Sequence, residues 1–187
     1  MSPSNRRLLA TATVAYIAVV VALTTLKSFY RIGYLWEPAR QRARELHLVP
    51  LDSLGQGSWF APLFDYGGNL AFFIPVGVLF FMWRERIGPA IAWAAALSLS
   101  IEVSQYLFSL GRSDIDDLLF NTLGGAIGAV FAKWCGPRFY RVWMWLAVAL
   151  GVVFAVLVAL GPRLGNPELV KDLDGASSPA SATTPAV

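Results

Sequence analysis

The chain has 187 residues, 56% of them hydrophobic and 14% charged, and a mean hydropathy of +0.56. That is too apolar for an ordinary soluble domain, in which charged residues make up about a quarter. Its 15 Lys and Arg outweigh 12 Asp and Glu by a formal +3, but the basic residues flank apolar segments and form no stripe, which argues against a nucleic-acid partner.

A single cysteine, Cys135, excludes an intrachain disulfide, and no CxxC or Cys/His cluster suggests zinc. His47, the sole histidine, cannot form a metal site alone, so neither a metal nor another cofactor is expected.

After Arg6 and Arg7 comes Leu8 to Leu26, an uncharged run close to the ~20 residues that a spanning helix needs. A signal peptide shares this pattern, but the run is long for one and further spans follow, so we read a membrane anchor. Lys27 to Leu63 is a long connection containing Arg31, Arg40, Arg42 and Arg44. Within it, Trp36 to Leu46 has the composition of a short amphipathic helix at the headgroups. Pro50, Gly55 and Gly57 then mark an irregular loop that returns to the membrane.

The second span is read at 63–83, where Pro75 predicts a kink and not a stop, because membrane helices satisfy the freed carbonyl elsewhere. Spans at 87–110, 118–134 and 142–160 follow, with Gly88 and Pro89 turning the chain between the second and third. The expectation is an all-α polytopic bundle of about five transmembrane helices, occupying residues 1–162. Residues 163–187, rich in Gly, Pro, Ser, Ala and Thr, lack the apolar content to fold alone and are read as a disordered tail.

Placing the N-terminus in the cytoplasm puts Arg84, Arg86, Lys133, Arg138 and Arg141 in short cytoplasmic loops, in keeping with the positive-inside tendency. The basic residues of the long first loop run the other way, although long loops count for less.

Whichever way the chain inserts, the start of span two, the end of span three and the start of span four share one side. Asn69, Glu102, Gln105, Arg112, Asp114, Asp117 and Asn121 therefore belong to one leaflet. Glu102 and Gln105 are three positions apart, while Asp114, Asp117 and Asn121 are separated by three and four, so each set occupies one helix face. Glu102 lies on the order of 10 Å below the hinge, too deep to face lipid unpaired. Arg112, Asn69 and Asn121 are its expected partners.

In the hinge, Gly111 is expected to supply a positive φ, and Ser113 with Asp116 resembles a capping box. Acidic residues in a first helical turn offset the macrodipole, which accounts for one or two of the three aspartates but not for Asp117 with Asn121 a turn deeper. Gly124 and Gly128 form a small-xxx-small pair suited to helix packing. A nucleotide loop is excluded because no strand precedes these glycines and no Lys follows at the required offset.

Three blocks resemble the VanZ-like membrane protein family: NLAFFIPVG with Asn69 and Pro75, IEVSQ with Glu102 and Gln105, and GRSDIDDLLFNTLGGAIG with Arg112, Asp114, Asp117, Asn121 and the glycines. The resemblance implies a helical membrane protein of the cell envelope, linked to glycopeptide or lipopeptide antibiotic response. It supplies no reaction. HLVPL at 47–51 is a fainter match, with Leu51 where the family often has an aromatic residue.

The leading expectation is an envelope factor whose polar cluster binds a membrane lipid headgroup or lipid-linked cell-wall precursor at the outer leaflet. Arg112 would contact phosphate, and Asp114, Asp117 and Asn121 would meet amine or hydroxyl groups. The alternative is an enzyme acting on a lipid-linked substrate, with Glu102 exchanging protons and Asp117 as partner base or ligand to a divalent ion. Transport ranks below both, because polar groups confined to one leaflet make half a path. A role limited to holding helices together is the remaining reading.

Overall fold

The computed structural model describes residues 2–25, 44–55 and 60–160. Most of the amphipathic segment expected over 36–46 lies outside these residues, as does the expected tail 163–187.

Among the described residues five helices are long and apolar enough to cross a membrane. They are α1 (Pro3–Thr24), α2 (Phe60–Arg84), α3 (Ile87–Phe108), α4 (Ile115–Cys135) and α5 (Tyr140–Leu160). The all-α membrane bundle is thus the observed architecture. Local chemistry sets several of the boundaries. Ser2 caps α1, its hydroxyl accepting the Asn5 N–H at 3.3 Å, and Pro3 follows where a missing N–H costs nothing. The helix α2 runs unbroken through Pro75.

Two short strands, β1 (Arg44–His47) and β2 (Gly111–Asp114), add a feature absent from the sequence reading. They pair in parallel, with Leu46 opposite Ser113 and His47 opposite Asp114. Parallel neighbours require a crossover, and here the α2–α3 hairpin supplies it. Residues 44–46 are therefore strand, where the end of an interfacial helix was expected. A single 3₁₀ turn, Asp52–Gly55, follows in the segment read as irregular loop.

The core centres on α2, whose Phe73, Val76, Val78, Leu79, Phe81 and Met82 are buried against α1, α3 and α4. Close approach of α2 and α4 depends on glycine. A Cβ on Gly128 would run into the Ile74 carbonyl oxygen, one on Gly124 into the Leu70 carbonyl oxygen, and one on Gly77 into the Gly125 backbone. The small-xxx-small pair thus acts as the sequence indicates, and it fixes the position of α4 against the start of α2.

Candidate functional site: an acidic rim and a lipid-facing groove

The hinge between α3 and α4 is built differently from expectation. Ser109, not Gly111, adopts the left-handed conformation (φ 53°, ψ 43°) that ends α3, and the Leu110 N–H closes the turn on the Gln105 carbonyl at 2.9 Å. The chain then runs extended through β2, which leaves no need for a positive φ at Gly111. Asp114 caps α4 and accepts the Asp116 N–H at 3.0 Å. Ser113 is not the cap, because its hydroxyl donates to the Glu102 carbonyl at 2.6 Å.

Glu102 is buried, and its Oε2 accepts the Asp114 backbone N–H at 2.9 Å. The carboxylate is therefore satisfied in part by the backbone of the neighbouring helix start, and not by Asn69 or Asn121 as the sequence suggested. Those amides have other partners. Asn69 of α2 donates to Asp117 Oδ1, whereas the buried Asn121 donates to Ser98 Oγ at 3.0 Å. Gln105 points towards the end of α1 and donates to the Thr24 carbonyl at 3.0 Å. Among the described residues, Gln105 Oε1 and Asn121 Oδ1 have no hydrogen-bond partner. The Arg112 side chain lies outside the described residues.

The seven residues expected in one leaflet thus occupy one end of the bundle but divide among separate contacts. Glu102 and Asp114 form one, Asn69 and Asp117 a second, Asn121 with Ser98 a third. Gln105 is the link to α1.

Asp116, read from the sequence as the partner of Ser113 in a capping box, is the most buried acid of the rim at 1% exposure. Its two carboxylate oxygens each lie 3.0 Å from the Leu51 N–H, and Oδ2 accepts the Tyr66 hydroxyl at 2.8 Å. The Tyr66 ring stacks on Phe120 at 4.5 Å between centroids. Asp116 consequently clasps the segment after β1 to the starts of α2 and α4. Sequence could show that Tyr66 and Asn69 share a face of α2, but the Leu51 donor is loop backbone and has no signature.

A groove of about 220 Å³ opens beside this clasp. Leu99, Val103, Tyr106 and Leu107 of α3 form one wall, and Leu46 and Leu48 with Ile115 and Leu118 the other. Its lining is almost wholly apolar, yet Glu102, Ser113 and Asp114 also border it. Val103, Leu107 and Leu46 are exposed, so the groove opens outward from the bundle. An acyl or prenyl chain suits such walls, and a hydrogen-donating headgroup suits the carboxylates beside them.

Five helices long and apolar enough to cross a membrane, with a rim of buried acids at one end, define a polytopic membrane protein. The chain belongs to the VanZ/LLP1 family, whose profile matches residues 13–136. Protein VanZ of Enterococcus faecium is 32% identical over 115 residues, covering 60% of this chain and 66% of that protein. The match therefore spans just under two thirds of that relative's length. No solved structure matches the chain.

Proposed function

We propose that this VanZ-like protein binds a lipid or lipid-linked cell-wall precursor at the outer leaflet, and through it contributes to the response of the envelope to glycopeptide or lipopeptide antibiotics. The groove carries the reading. Its apolar walls suit a hydrocarbon chain, and Glu102 and Asp114 border them where the polar end of such a chain would lie. Basic residues at the opposite end, among them Arg84, Arg86, Lys133, Arg138 and Arg141, support a cytoplasmic N-terminus and an outward-facing rim.

Saturable binding of a lipid-linked precursor to the full chain in nanodiscs tests this directly. Binding is expected to fall in Val103→Trp, which fills the groove, and in Glu102→Gln, which removes the charge. Undiminished binding in both variants would reject the groove as the site. Complementation of a deletion strain across envelope-active antibiotics then tests the cellular role, with the same two variants expected to fail.

A further inference from the structure

At the end of the bundle away from the acidic rim, the start of α1 and the end of α2 enclose a second pocket of about 340 Å³. It is lined by Arg6, Leu9, Met82, Trp83, Arg84 and Glu85, and in contrast to the groove its lining is mostly polar. The floor is rigid: Leu9 and Met82 are buried in the core, and the Trp83 indole N–H is tied to Thr13 Oγ1 of α1 at 3.1 Å.

Two arginines from different helices therefore border one hollow, with a single acid, Glu85, in its lining. The first turn of α1 contains no acid. Among the described residues neither Arg6 nor Arg84 has a side-chain hydrogen bond or ion pair. Glu85, the acid in the lining, is faced by the Tyr140 hydroxyl of α5. Membrane flanking explains why arginines occur at a helix end, but not why two from different helices share a polar hollow over a fixed apolar floor.

We propose that this pocket binds a phosphate group, held between Arg6 and Arg84. Guanidinium groups match phosphate oxygens by paired, charge-assisted N–H donors, and two of them from separate helices can grip a single group from both sides. The phosphate can come from an anionic phospholipid of the leaflet at that end or from a soluble phosphate. The proposal is independent of the groove and its ligand, since no lining residue is shared.

Native mass spectrometry of the full chain, released from nanodiscs containing equal phosphatidylglycerol and phosphatidylcholine, tests the lipid source. Preferential retention of phosphatidylglycerol is expected, with a roughly tenfold loss in Arg6→Gln/Arg84→Gln from the removal of two charge-assisted contacts. Lysine at both positions should keep part of the preference, and Arg141→Gln, at the same end but outside the pocket, should keep all of it. In a parallel arm, inorganic phosphate is titrated onto detergent-purified chain while its melting temperature is read. A rise dependent on Arg6 and Arg84, without lipid preference, assigns the site to soluble phosphate. The proposal is overturned if the double glutamine variant, folded by its melting transition, matches the parent in both arms. An equal loss in Arg141→Gln also overturns it, because that marks a diffuse surface potential and not a site.

Discussion

The Asp114 backbone N–H donates to Glu102 Oε2 at 2.9 Å, so a buried acid of α3 is the acceptor for the residue that caps α4. With the Ser113 hydroxyl on the Glu102 carbonyl at 2.6 Å, this bond joins the two helices of the hinge through a single residue. The groove is thus bordered by an acid whose position is set by the helix start beside it.

Glu102→Gln keeps one carbonyl acceptor for the Asp114 N–H and should fold. Glu102→Leu strands that donor and should lower stability by about 1–3 kcal/mol. Thermal melting in one detergent compares the two, and equal loss in both would show that the bond does not hold the hinge.

Asp116 and Tyr66 should behave as a coupled pair. Their hydrogen bond joins a hydroxyl to a buried carboxylate, and a double-mutant cycle with Tyr66→Phe and Asp116→Ala is expected to give a coupling of about 1.5–3 kcal/mol. Asp116→Ala also frees the Leu51 N–H, so protease cleavage within 48–55 should accelerate. The exposed Asp65→Ala serves as control, and similar cleavage in both would refute the clasp.

Gly128 admits no side chain without displacing α2, because its Cβ would meet the Ile74 carbonyl oxygen. Gly128→Ala should therefore destabilise by about 1–3 kcal/mol, the usual range for overpacking. Gly88→Ala, where nothing lies within 4 Å, should be tolerated. Unfolding in a denaturing detergent series reads the difference.

Orientation is open to labelling. In a Cys135→Ser background, Leu54→Cys should react with a membrane-impermeant maleimide on intact cells, whereas Arg138→Cys should react only after lysis. The reverse pattern would place the acidic rim in the cytoplasm and remove the outer-leaflet ligand from consideration.

Hydropathy alone was enough to find the five helices among the described residues that are long and apolar enough to cross a membrane, since each such run must meet that requirement by itself. The small-xxx-small spacing in α4 likewise announced close packing on a neighbour, but that the neighbour is α2 came only from the fold. Connectivity then required Glu102, Gln105, Asp114, Asp117 and Asn121 to gather at one end, because alternate turns of a spanning hairpin must share a side. Which of these groups touch was decided by tertiary structure. Glu102 and Asp116 take backbone N–H groups from Asp114 and Leu51, and every residue type except proline carries such a donor, so no pattern of side chains could announce it. The pairing of β1 with β2 likewise joins two four-residue segments too short to declare themselves, held in register across the α2–α3 hairpin that separates them in sequence.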